Sequence, residues 1–161
     1  MPEALANASV FLAALAGMEA VAWGTHRWVM HGPLWVLHRS HHEPRAGRLE
    51  RNDLFAAFFA SLAIALFWWG SQPGHDLAWW TAAGVTAYGL LYALVHDGLV
   101  HRRWPMPAVR RGGYLWRLVR AHRLHHAVQS RAGAVAFGFL WPADTRRLVA
   151  RLRRRRAGRG A

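Results

Sequence analysis

Apolar residues in this chain are gathered into long blocks. Residues 4–23 (ALANASVFLAALAGMEAVAW) contain no basic side chain, and about 20 such residues in a helix span a hydrocarbon core. A second block covers residues 54–70 and a third 77–95, joined by SQPGHD, whose Pro, Gly and Ser predict a tight turn. The two blocks therefore read as a helical hairpin. A last apolar stretch, residues 132–140 followed by Trp141 and Pro142, is too short to cross and is expected to dip into the interface or pack on the bundle. The first block does not read as a secretory signal, since Glu3 precedes it without Arg or Lys and no small-residue cleavage pattern precedes a soluble domain. The fold expected is an all-α integral membrane protein of about three to four transmembrane helices, a single domain over residues 1–161.

The polar stretches between the blocks carry the rest of the information. Gly32-Pro33 is expected to close the extension of the first helix, and Pro105 and Pro107 that of the third. Every Arg lies within residues 27–51 or 102–159, and none lies before the first block or in the linker around Gly74. The positive-inside rule then puts both Arg-bearing segments and the C-terminus in the cytoplasm of a multi-pass inner-membrane protein. Trp68, Trp69, Trp79 and Trp80 border the linker, as amphipathic rings do at the opposite water interface. The Arg run at 151–156 reads first as this topology signal, and the tail over about 150–161 is expected to fray or lie on anionic lipid.

Composition narrows the chemistry. Hydrophobic residues make up 53% of the chain although its formal charge is +13. A nucleic-acid-binding surface would need that charge on one face of a soluble fold, so no nucleic-acid partner is expected. Cysteine is absent, which removes disulfides, iron–sulfur clusters, thiolate sites and Cys nucleophiles. Any metal must be held by nitrogen or oxygen.

Ten of the eleven histidines fall into four motifs: His26 and His31 in HRWVMH, His38, His41 and His42 in HRSHH, His96 and His101 in HDGLVH, and His122, His125 and His126 in HRLHH. H-x4-H followed by H-x2-H-H thus occurs twice, each time directly after an apolar block, with one hairpin between. Two crossings return the chain to its starting side, so all ten should meet in a histidine-rich helical cap at the cytoplasmic interface. On a helix the three imidazoles of H-x2-H-H share a face, whereas the H-x4-H residues diverge by about 140°. Either those pairs serve different metals or the helix is distorted there. Five imidazoles for each of two ions would leave room for an oxygen ligand, and imidazole alone does not select among iron, zinc, copper and nickel. His75 stands outside the motifs, on the opposite side, and reads as an interfacial packing residue.

Carboxylates near the motifs are candidates to orient them, because a liganding imidazole gives its other N–H to an oxygen. Glu19, two turns before His26 inside an apolar block, Asp97, next to His96, and Asp53, at the mouth of the hairpin, are the three candidates; a helix-start or surface-pair role for Asp53 and Asp97 stays open. Glu43 and Glu50 read as solvated partners of neighbouring Arg.

The segments MEAVAWGTHRWVMHG, LHRSHHEP, RNDLF, VTAYG, HDGLVHRRWP, AHRLHHAV and FGFLW resemble those of the bacterial β-carotene hydroxylases, within the membrane fatty acid hydroxylase and desaturase superfamily. The likeness runs from about Met18 to Trp141, with no departure at the ten motif histidines. The histidine motifs specify only the superfamily; the residues between them point to the carotenoid branch. The resemblance implies two non-haem iron ions, molecular oxygen, a ferredoxin-type electron donor, and hydroxylation at C3 of each β-ionone ring, from β-carotene through β-cryptoxanthin to zeaxanthin. Another di-iron lipid enzyme, a fatty-acyl or sterol hydroxylase or desaturase, would share the same histidines. How many chains assemble stays open.

Overall fold

The computed structural model describes residues 2–44, 47 and 49–158. Among these every regular element is helical: α1 (Pro2–Gly24), α2 (Trp35–His42), α3 (Asp53–Gly70), α4 (Asp76–Tyr92), α5 (Tyr114–His126) and α6 (Thr145–Ala157). Two π-helical segments, Thr25–Met30 and Ala93–Val100, continue α1 and α4 without a break. Three helices are long and apolar enough to cross a membrane, over Pro2–Met30, Asp53–Gly70 and Asp76–Val100. They present Leu12, Phe58, Leu62, Ile64, Leu90 and Leu91 outward, a surface that water would not tolerate and lipid does.

α4 stands at the centre, with α1 and α3 packed along it. α1 and α4 run parallel, since Gly84 meets Phe11, Ala14 and Leu15 while one turn later Tyr88 reaches Glu19. Gly84 is what allows this approach: a Cβ there would lie 2.6 Å from the Phe11 carbonyl oxygen, and small residues are how membrane helices bring backbones together. α3 returns antiparallel through the turn at Gly74, whose φ of 81° favours glycine. Because α1 and α3 both lean on α4, a cleft remains between them. Its lining comes from all three helices.

The cap differs from the expectation in two places. The third span ends at Val100, before Pro105, because Arg102 takes a left-handed φ of 53° and the Arg103 N–H turns back to the Asp97 carbonyl at 2.9 Å. Residues 132–141 do not span, as expected, and of the two alternatives they pack on the bundle, as an irregular strap. Finally, the Arg-rich tail is not frayed through residue 157. Asp144 caps α6 by accepting the Arg146 N–H at 2.9 Å, and Leu148 is buried in a cluster with Ala121 and Val135. Residues 159–161 of that tail lie outside the described residues.

The close packing at Gly84 generates a direct test. Gly84→Val should destabilise the bundle by about 1–3 kcal/mol through overpacking, read as a lower Tm in detergent. Gly17→Ala, with open space around its Cβ, should be neutral or slightly stabilising. An unchanged Tm in Gly84→Val would contradict the α1–α4 contact.

Candidate metal centre

The five-residue spacing of each H-x4-H pair meets a helix that accommodates it. Within the π-helical segments the His31 N–H donates to the His26 carbonyl at 3.0 Å and the His101 N–H to the His96 carbonyl at 2.9 Å. An i→i+5 bond widens the turn, so positions that diverge on an α-helix come to one face. Single π turns of this kind concentrate at functional sites. The distorted-helix alternative is the one the fold adopts.

The histidines collect in two groups within which ring nitrogens lie within 4.8 Å of one another: His26, His31, His38, His42 and His125 form the first, and His41, His96, His101 and His122 the second. His126 stands beside the second, its Nε2 2.8 Å from that of His122. Each repeat thus supplies its own group with the H-x4-H pair and the outer residues of H-x2-H-H. The middle histidine crosses: His41 goes to the second group and His125 to the first. H-x2-H-H therefore does not converge on one point, because His38 and His42, one turn apart, share a side of α2 while His41 faces away from them. His75 lies at the far end of the bundle, against Trp69.

Every one of the ten imidazoles turns Nε2 inward. In the first group the Nε2 atoms of His26 and His38, His38 and His42, and His42 and His125 approach to 3.2 Å, and those of His31 and His125 to 3.1 Å. In the second, His41 and His96 approach to 3.0 Å and His101 and His122 to 3.4 Å.

Seven of the outward Nδ1 atoms are tied to oxygen. His26 donates to the Phe137 carbonyl, His31 to that of Arg131, His42 to that of Val128 and His125 to that of Val135, all at 2.9–3.0 Å. His38 donates to the Asn52 side-chain oxygen at 2.7 Å, His41 to Glu50 and His96 to Asp97, both at 2.8 Å. A carbonyl oxygen can only accept, so the proton of each such neutral ring sits on Nδ1 and Nε2 carries a bare lone pair. Lone pairs facing each other at about 3 Å repel unless a cation lies among them. Nitrogens about 2.0–2.1 Å from a shared ion stand roughly 2.8–3.0 Å apart along the edges of an octahedron and roughly 3.3–3.4 Å apart along those of a tetrahedron, and the observed spacings of 2.8–3.4 Å fall between these limits.

Electrostatics keeps these rings neutral. Burial, opposed in part by the Asn52 hydrogen bond, brings His38 down to about 3, and burial together with neighbouring His31 brings His42 to about 4. Burial, then adjacent imidazoles, puts His41, His122, His125 and His126 well below the ordinary histidine value. Neutral imidazole is the form that binds metal.

The carboxylates divide differently from the sequence reading. Asp97 does orient His96. Asp53 lies at the start of α3, accepting the Glu50 N–H at 2.9 Å and an Arg103 N–H at 2.7 Å. Glu19 touches no histidine: its Oε1 accepts the N–H groups of Phe139, Leu140 and Trp141 at 2.7, 2.9 and 3.3 Å, and its Oε2 the Tyr88 hydroxyl at 2.8 Å. It reaches the histidine groups through the strap, whose Val135 and Phe137 carbonyls hold His125 and His26. Glu43 pairs with Arg39 at the surface, as expected. Glu50 corrects the expectation of a solvated partner; its side chain is 8% exposed and faces His41. Asn52 and Arg103 were visible only as letters in RNDLF and HDGLVHRR, since nothing in their spacing marks them.

The apolar cleft between α1 and α3 has a cavity of about 470 Å³, within the range of ligand pockets. It runs along α3 past Phe55, Phe59 and Phe67 and ends on His26 of the first group and His96 and His122 of the second.

Residues 11–145 match the family described as fatty acid hydroxylase. The chain is 50% identical to a beta-carotene hydroxylase of Pantoea ananas over 95% of its own length and 87% of that protein's, and 51% identical to one from Pseudescherichia vulneris, over 90% and 84%. A chloroplastic beta-carotene 3-hydroxylase of Arabidopsis thaliana is 38% identical over 89% of this chain and 47% of that protein. No solved structure matches the chain.

The depressed histidines fix a pH dependence. Below the usual histidine value of 6.5 the unfolded chain takes up protons that the folded, metal-free cap refuses, so stability falls as pH drops from about 6.5 toward 4. The Tm of metal-free protein in detergent should decline steadily between pH 7 and 4.5. A flat profile would contradict the buried neutral rings.

Proposed function

The chain belongs to the fatty acid hydroxylase family, and on that premise we propose that it is a membrane enzyme that hydroxylates the rings of carotenoids, acting at C3 of each β-ionone ring to give the mono-ol and then the diol. The support is twofold: the beta-carotene hydroxylases that match it along most of both chains, and an apolar cleft among the three spans that ends on the histidines. The second is the observation that carries the reading. From Phe55 to Phe67 the cleft follows α3 for about 18 Å at 1.5 Å per residue. A stiff apolar rod about as long as the roughly 30 Å hydrocarbon core could lie there with one ring at the cap and the remainder in the bilayer.

In this reading His26, His31, His38, His42 and His125 hold one iron ion, and His41, His96, His101, His122 and His126 the other. When bound, iron with molecular oxygen supplies the oxidising power that an unactivated C–H bond demands, which zinc and side-chain acids and bases do not. The chain's own part is to orient and exclude. The Nδ1–H donors lock seven of the ten rings so that Nε2 points inward. Phe59, Phe67, Phe137 and Phe139 give the cleft a dry wall, and Tyr92 stacks on His96 with ring centroids 4.3 Å apart, bracing the wall where a substrate ring would arrive.

Electrons come, on this account, from a small acidic iron–sulfur protein of ferredoxin type, attracted by the Arg-rich side. The Arg distribution likewise supports a cap that faces the cytoplasm from the inner membrane. One centre that sees one ring end at a time must release or turn the mono-ol before it can form the diol.

Expression in cells that accumulate β-carotene, followed by pigment chromatography over time, is the test. The mono-hydroxylated product should appear first and decay into the diol. Alanine at any of the ten motif histidines should abolish both products with protein still present, Ala60→Trp should block the cleft, and His75→Ala should be silent. Unchanged pigment with the wild-type chain, or retained activity at several of His26, His38, His96 and His122, would overturn the proposal.

A further inference from the structure

The two histidine groups have alike interiors and unlike surroundings. Around the first, four of five imidazoles donate to backbone carbonyls of residues 128–137 and the fifth, His38, to the neutral Asn52. No carboxylate among the described residues receives a proton from this group. Two positive charges lie close by: the Arg131 side chain donates to the His31 carbonyl at 3.4 Å, and the Arg27 guanidinium lies 5.2 Å from the centre of the Phe137 ring that packs on His26.

Around the second group the surroundings are ionic. His41 donates to Glu50 and His96 to Asp97. Arg103, with its side chain 13% exposed, joins these two carboxylates to a third: it reaches Asp53 at 2.7 Å, Glu50 at 3.5 Å and Asp97 at 3.6 Å. Three carboxylates against one guanidinium leave two net negative charges beside this group. A carboxylate behind an imidazole pulls its N–H proton and makes the opposite nitrogen a stronger donor. Net negative charge in a half-buried setting favours the more highly charged ion.

We infer that the two groups are inequivalent metal sites, the Glu50–Asp97–Arg103 network making the second the tighter one and the one that keeps the more oxidised ion. The inference rests on the reading of the histidines as ligands of two metal ions. Arg103 acts as the positioning residue of the network, holding Glu50 and Asp97 against His41 and His96 from one point. When a single electron is delivered, the ion in the first group is reduced first. The strap side of the centre is therefore the easily reduced, more readily emptied side, and the hairpin side the anchor.

The experiment uses the full-length chain in detergent, stripped of metal and titrated anaerobically with ferrous iron against a competing chelator. Wild-type protein should bind two ions in two resolved steps. Asp97→Asn, and independently Glu50→Gln, should weaken the tighter step about 10–100-fold, the usual cost of losing such a partner, and leave the weaker step in place. Asn52→Ala should weaken only the weaker step. In redox titration the lower of two midpoint potentials should rise in Asp97→Asn and stay put in Asn52→Ala, a response that general loosening of the cap would not produce. Two ions bound in one indistinguishable step, or both steps weakened alike by Asp97→Asn and Glu50→Gln, would overturn the inference alone. Fewer than two ions per wild-type chain would overturn the two-metal reading and the inference with it.

Discussion

Ten imidazole Nε2 atoms aimed at one another across about 3 Å, seven of them unprotonated because their Nδ1–H groups are donated to oxygen, are the constraint that organises this molecule. Such an arrangement repels itself, and the rest of the chain can be read as what holds it in place. The two π turns bring the H-x4-H pairs to one face. Burial keeps the rings neutral, and seven Nδ1 donors are each pinned to an oxygen. The crossing of His41 and His125 between the groups ties the two repeats into one unit, since neither group is complete with the residues of a single repeat.

The membrane part serves this cap from below. Parallel packing of α1 and α4 lifts both π segments to the same level, and the cleft between α1 and α3 ends on members of both groups. Glu19 links the two levels. A carboxylate in an apolar helix is costly unless its lone pairs are used, and here it gathers three consecutive backbone N–H groups and a tyrosine hydroxyl. By anchoring the strap it fixes carbonyls that in turn orient His26 and His125. The strap's irregular backbone is tolerated because its polar groups are satisfied by the histidines and Glu19.

Much of this was legible in the sequence because it rests on local pattern. Spans follow from block length, and the meeting of the histidines follows from two motifs separated by one hairpin. The paired motifs also raised the question that the π turns answer, since only a widened helix lets His26 and His31 face one way. What stayed hidden depends on long-range contacts with no spacing signature. Asn52 reaches His38 across 14 residues, Arg103 reaches Asp53 across 50, and Glu50, beside Arg51, looked like a surface ion-pair partner until the fold buried it. The strap's packing on the bundle was among the alternatives expected, but its role was not legible: hydropathy reports its apolar side chains, whereas that role lies in its backbone carbonyls and N–H groups. The tail likewise showed its charge in sequence and concealed the buried Leu148 that docks it.

The claim at the centre is that these imidazoles surround two metal ions, and X-ray absorption at the iron edge of the purified, iron-loaded chain, with metal content measured on the same sample, tests it most directly. Two ions per chain with a nearest shell dominated by nitrogen at about 2.0–2.2 Å, by analogy with other imidazole-bound divalent metals, and the outer scattering of several imidazole rings is the result expected. One ion or none, or a shell dominated by oxygen with little imidazole scattering, would contradict it.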